Sequence, residues 1–165
     1  MSTSSDTQAV FIVTTSSEKE TMELGRKIGG LLVPGDVVAL TGSLGSGKTT
    51  LVKGLASGLG IGDVREVRSA SFLLVAEYKA RIPIYHFDAY RLEGAGEMYD
   101  LGCDEIFWGD GVSVVEWADR VEECLPENCL RISMHIEGPA SRRITVSSRG
   151  KRYDGMVSSL KRGGL

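Results

Sequence analysis

Residues 40–52 read LTGSLGSGKTTLV, and within them Gly42, Gly47, Lys48 and Thr49 satisfy the spacing G-x-x-x-x-G-K-[ST]. This pattern constrains the fold more than any other, because it works in one setting: a buried strand running into a glycine-rich turn that opens a helix. Both flanks are present. DVVALTG, residues 36–42, is the continuous apolar run of a strand buried on both faces of a parallel sheet. Beyond the loop, Leu51, Val52, Leu55 and Leu59 recur at helical intervals until GLGIGD, residues 58–63, stops the helix.

The chemistry follows from the residue types. Glycines let the backbone curl so that successive N–H groups point at phosphate oxygens, and the following helix adds its positive end. The expected nucleotide-binding segment runs through Gly42, Ser43, Leu44, Gly45, Ser46 and Gly47 to Lys48, Thr49 and Thr50. Lys48 supplies a point charge for the β and γ phosphates, and Thr49 offers a hydroxyl to magnesium.

The rest of the chain alternates apolar strands with helical patterns. AVFIVTT (9–15) reads as a strand; Ser17 and Glu20 form a capping box ahead of a helix carrying Leu24, Ile28, Leu31 and Leu32, which ends between Gly29 and Pro34. FLLVAEY (72–78) and IYHFDAYRL (84–92) suggest two strands around a turn at KARIP. A helix is expected over 97–108, a buried strand at GVSVVEW (111–117), and a helical turn or two at ADRVEECL (118–125). LRISMHIE (130–137) and RRITVSS (142–148) pattern as a hairpin, with a last helix around 153–161.

At 165 residues there is room for one ordinary core. The expected architecture is a single α/β domain like those of P-loop nucleotide hydrolases: a central, mostly parallel sheet flanked by helices, with an antiparallel addition near the C-terminus. Its core spans about 8–150, followed by a tail at 151–165.

A net charge of −3 and a pI near 5.5 argue against a domain that grips nucleic acid by neutralising its phosphates. Cys103, Cys124 and Cys129 lack zinc spacing and are an odd number, so they are expected as small thiols in a reducing compartment. The N-terminal stretch has no basic n-region and its apolar run, Ala9 to Val13, is too short for a signal peptide or membrane span; a soluble cytoplasmic protein is expected.

Guanine-specific hydrolases carry N-K-x-D and D-x-x-G elements, and neither occurs here, which favours ATP. A chemical engine also needs a carboxylate to hold magnesium at the carboxyl end of a neighbouring strand. Asp88 ends IPIYHFD and Glu116 ends GVSVVE, so both are expected beside the loop. Trp117 next door is as well suited to packing as to walling off the site. His86, alternating with apolar residues, reads as a structural histidine, and Arg91 as one half of an ion pair.

GSLGSGKTTLVKGLASGLGI, SASF, YHFDAYRL, LGCDEIF and VVEWADR occur in an order and spacing that resemble the TsaE family, also called YjeE, over roughly residues 17–147. Members of that family are small ATPases that bacteria require to make threonylcarbamoyladenosine in tRNA. The resemblance implies that Gly45 to Thr49 hold ATP, and ADP after hydrolysis, with Thr49 and Glu116 on magnesium. It implies Lys48, Asp88 and Glu116 as the catalytic set, with Asp88 near the γ-phosphate and water, and Trp117 close to the nucleotide. SASF matches the family's SPTF switch loop, with Ser71 in place of threonine and Ala70 in place of proline, so the hydroxyl survives while the loop loses a conformational restraint. Arg142 or Arg143 matches a late family arginine near the phosphates, and Arg143 is taken here.

The resemblance further implies docking on a TsaB and TsaD assembly that ATP hydrolysis resets, tRNA being met through those partners and no membrane being involved. Two other readings fit the loop alone. One is a small-molecule kinase, although YRLEGAGE offers only one arginine for a lid over the phosphates; the other is a binding module whose conformation ATP sets.

Overall fold

The computed structural model describes residues 8–68 and 74–163. Its strands are β1 (Val10–Thr15), β2 (Val37–Gly42), β3 (Val75–Tyr78), β4 (Ile84–Asp88), β5 (Val112–Glu116), β6 (Cys129–Ile136) and β7 (Arg142–Arg149). They form one sheet in the order β1-β7-β6-β2-β5-β4-β3. The centre, β6-β2-β5-β4, is parallel, while β7 and β1 on one side and β3 on the other run antiparallel to their neighbours. The expected hairpin is therefore β6–β7, and the N-terminal strand extends it.

Alternation along the central strands divides the core into two layers. Val38 and Leu40 of β2, with Val112 and Val114 of β5, face α1 (Glu18–Gly29), α2 (Lys48–Gly58) and α5 (Lys151–Gly163). Val37, Ala39 and Val115 face α3 (Ala95–Asp100), α4 (Cys103–Phe107) and a 3-10 segment, Ala118–Cys124. Burial on both faces is why DVVALTG and GVSVVE read as unbroken apolar runs. Cys103, Cys124 and Cys129 are all buried free thiols.

Helices α1 and α2 meet through glycines. A Cβ on Gly25 would stand 2.5 Å from the Leu51 carbonyl and 2.9 Å from the Gly54 Cα, so the two backbones touch. That contact sets α2, and the loop at its start, against the sheet.

Three expectations change. The helix expected over 97–108 is two short helices, because Gly102 takes φ +80° between them and breaks the hydrogen-bond ladder. The strand expected over 84–92 ends at Asp88, whose carboxylate accepts from the Tyr90 N–H and turns the chain. The segment set apart as a tail at 151–165 contributes α5, which buries Tyr153, Met156, Val157 and Leu160 in the first core layer. Ser71, with the rest of SASF, lies outside the described residues.

Candidate phosphate and metal site

Parity places the site. Residues 84, 86 and 88 of β4 point to one face, as do 112, 114 and 116 of β5, and this is the face that α1 and α2 cover. Parallel register sets Asp88 directly opposite Glu116, and Glu116 opposite Leu40, two residues before β2 enters the glycine loop. Asp88 and Glu116 are 4% and 3% exposed, an acidic pair at the carboxyl ends of adjacent strands beneath the loop.

The loop reaches α2 through Gly47, at φ +98°, which caps the helix without a side-chain hydrogen bond. The first N–H groups of α2, from Lys48, Thr49 and Thr50, thus have no intrahelical acceptors. Gly42 cannot carry a side chain: a Cβ there would lie 2.5 Å from Ser46 Oγ and 2.9 Å from the Met134 carbonyl. The Lys48 amine is folded back on the loop, donating to the Gly42 and Ser43 carbonyls at 2.7 and 2.9 Å. Burial lowers its pKa, opposed by the attraction of Glu116, Asp88 and Asp119.

A cleft of about 290 Å³ brings together Leu44, Gly45, Gly47, Lys48, Thr49, Thr50, Asp88, Glu116 and Trp117. A second, of about 320 Å³, opens beside it between Gly45, Gly47 and Thr50 on one side and Pro139, Ala140 and Arg142 on the other. A polyphosphate entering the first would meet one buried ammonium, a helix N-terminus, the two buried carboxylates of the strand ends and the exposed carboxylate of Glu18 on α1. Among the described residues no group of three or more His, Cys, Asp and Glu could hold a metal by itself. Two carboxylates and a threonine suit magnesium, which takes few protein ligands and fills its shell with water and phosphate oxygens.

Not every expected residue points in. Ser46 is buried beneath the loop, its hydroxyl without a hydrogen-bond partner, and its N–H donates to the Ser43 carbonyl. The late arginine on the loop is Arg142, not Arg143. Arg142 donates to the Ser46 carbonyl at 3.0 Å and the Gly45 carbonyl at 3.3 Å, and also to Gly138 and Ser141. Arg143, its neighbour on β7, is half exposed and pairs with Glu137 at 3.3 Å. Adjacent strand residues face opposite ways, so one of the two had to leave the site. The sequence marks the pair but not its parity.

Trp117 sits at φ +57°, a left-handed conformation rare for a bulky residue. Its ring lies 4.1 Å from the Lys48 amine and 4.9 Å from the Tyr90 ring, with the Arg120 guanidinium at 5.8 Å. Tyr90 carried no signal beyond its place in YHFDAYRL. His86, fully buried, contacts Glu116 directly: Nε2 and the Glu116 Oε2 are 2.6 Å apart.

The TsaE model, described as threonylcarbamoyl adenosine biosynthesis protein TsaE, matches residues 15–144. The chain is 43% identical over 149 residues to the tRNA threonylcarbamoyladenosine biosynthesis protein TsaE of Bacillus subtilis, covering 90% of this chain and 92% of the relative. It is 44% identical over 131 residues to the protein of that name from Treponema pallidum, covering 79% and 96%. The crystal structure of Bacillus subtilis YdiB superposes with a TM-score of 0.80 at 36% identity, over 96% of this chain and 99% of that one.

Proposed function

The chain belongs to the TsaE family, and from that premise we propose that it serves tRNA threonylcarbamoyladenosine biosynthesis as a magnesium-dependent ATPase acting on a TsaB and TsaD assembly. The observation that carries the reading is the convergence of Lys48, Thr49, Asp88 and Glu116 on one cleft at the end of β2.

In this mechanism the N–H groups at the start of α2 and the Lys48 amine cradle the β and γ phosphates of ATP. Lys48 leaves the Gly42 and Ser43 carbonyls and exchanges two neutral acceptors for charged ones. Thr49 and Glu116 would hold magnesium, which would supply neutralising charge to the phosphates. Asp88, beside Glu116, orients the attacking water. Trp117 walls the cleft against solvent, and Arg142 keeps the loop in shape from behind.

The two acidic strand ends line the cleft from beneath, and a docked partner closing its mouth can complete the surroundings of the γ-phosphate and set the turnover rate. An acidic chain needs no basic tRNA groove for that task.

Lys48→Ala tests the cradle: ATP binding by calorimetry should be lost, and tight binding by the variant rejects the site. A pull-down of purified TsaB and TsaD with ATP and magnesium tests the partner. No complex and no change in turnover reject it.

A further inference from the structure

A line of buried hydrogen bonds crosses three strands behind the carboxylate. From Glu116 on β5 it passes to His86 on β4 at 2.6 Å, then from His86 Nδ1 to the Tyr78 hydroxyl on β3 at 3.2 Å. The Tyr78 hydroxyl also lies 3.4 Å from the Arg68 carbonyl. His86 is fully buried and Tyr78 is 8% exposed.

Proton counting orders the line. An ionised carboxylate only accepts, so His86 Nε2 carries the proton and donates to Glu116. The Tyr78 hydroxyl lies against Nδ1 at 3.2 Å and has a single proton, which it also directs at the Arg68 carbonyl at 3.4 Å. Tyr78 therefore anchors the His86 ring from behind, and His86 holds one Glu116 oxygen, leaving the other for an ion. Carboxylates and imidazoles beside metal sites are oriented this way, and loss of such a partner typically weakens metal binding by about 10–100-fold.

Resting on the magnesium ATPase reading, we propose that His86 is a positioning residue for Glu116, with Tyr78 as its anchor, and that the pair sets the affinity of the nucleotide-loaded site for its metal. His86 is fully buried and does not line the cleft. It acts by denying Glu116 the rotamers that point away from the cleft.

The test is Mn²⁺ titration, followed by electron paramagnetic resonance, of the protein loaded with a non-hydrolysable ATP analogue. His86→Phe should weaken Mn²⁺ by about tenfold or more, His86→Gln should recover most of the loss through its amide donor, and Tyr78→Phe should shift affinity the same way by a smaller factor. Analogue affinity in EDTA should not move. In turnover, the magnesium needed for half-maximal rate should rise while kcat at saturating magnesium stays within about twofold. Melting curves check folding, and Tyr78→Phe carries the test should His86→Phe fail to fold. Unchanged Mn²⁺ affinity in the folded variants overturns the positioning role. A wild-type protein that binds the analogue with no Mn²⁺ dependence overturns the magnesium reading, and the positioning role falls with it.

Discussion

The Lys48 amine lies 4.1 Å from the centroid of the Trp117 ring while donating to the Gly42 and Ser43 carbonyls. The cation thus rests between its own loop and an aromatic wall, held back from the space in which a phosphate would sit. Trp117 takes φ +57° to be there, a conformation that costs a bulky residue on the order of 1–2 kcal/mol. The Lys48 cation and Tyr90, whose ring packs at a 47° tilt with centroids 4.9 Å apart, offset that strain.

This arrangement makes Trp117 a reporter. The chain has two tryptophans, and Trp108 is 86% exposed, so Trp108→Phe leaves a single signal from the cleft at little cost to packing. In that background, saturating ATP with magnesium should change the intensity and emission maximum, because Lys48 must leave the ring to meet phosphate. Lys48→Met should alter the spectrum without nucleotide and abolish the response to it. Identical spectra with and without ATP, in a protein shown by calorimetry to bind it, would refute the displacement.

Arg142 and Arg143 separate cleanly. Arg142 reaches four carbonyls and joins the glycine loop to the β6–β7 turn, so Arg142→Ala should loosen the cradle and raise the KM for ATP about tenfold, equivalent to about 1.4 kcal/mol. Lysine cannot reproduce a planar fork and should rescue poorly. Arg143→Ala removes one exposed pair with Glu137 and should change neither KM nor stability by more than about 0.5 kcal/mol. Equal effects of the two alanines on KM would remove Arg142 from the loop's support.

Most of the site was legible because its parts are local. The glycine spacing, the apolar run before it and the carboxylates closing two strands each follow from short stretches, and parallel register did the rest by setting Asp88 against Glu116. What escaped was set by contacts distant in sequence. His86 looked like any histidine on a buried strand, and its partners, Tyr78 and Glu116, lie 8 and 30 residues away. Nothing near Arg142 says that it reaches a loop 96 residues earlier. The apolar spacing of α5 marked a helix but could not show which layer it would cover, so residues 151–165 read as a tail.

The glycines between α1 and α2 were likewise visible as composition but not as a contact. Gly54 packs its Cα 2.9 Å from where a Cβ on Gly25 would be, with the Met22 carbonyl closer still to its own added Cβ. Gly54→Ala should therefore lower stability by about 2–3 kcal/mol despite alanine's better helix propensity, because backbone cannot yield as a flexible side chain does. For a domain of this size that corresponds to a fall in Tm of about 4–12 °C. Gly155, with open space around it in α5, is the control: Gly155→Ala should raise stability by up to about 1 kcal/mol. A Gly54→Ala protein as stable as wild type would show that the helices separate without penalty.

Tyr153 gives a pH dependence whose sign can be worked out. Its buried hydroxyl accepts from the Val37 N–H at 3.0 Å at the start of β2, and burial pushes its pKa from 10.0 to about 12. The folded state therefore keeps a proton that the unfolded chain releases, so stability present below pH 10 is lost as pH rises toward 12. Cys103, raised from 9.0 to about 12 mainly by burial, acts in the same direction from pH 9. Tyr153→Phe leaves the Val37 N–H without its acceptor and should cost about 1–3 kcal/mol at pH 8. Its stability should fall less steeply above pH 10, because the phenol is gone, so the gap to wild type should narrow by pH 11. Urea unfolding at pH 8, 9.5 and 11 measures both slopes, and a gap that stays constant or widens would remove Tyr153 as a source of alkaline destabilisation.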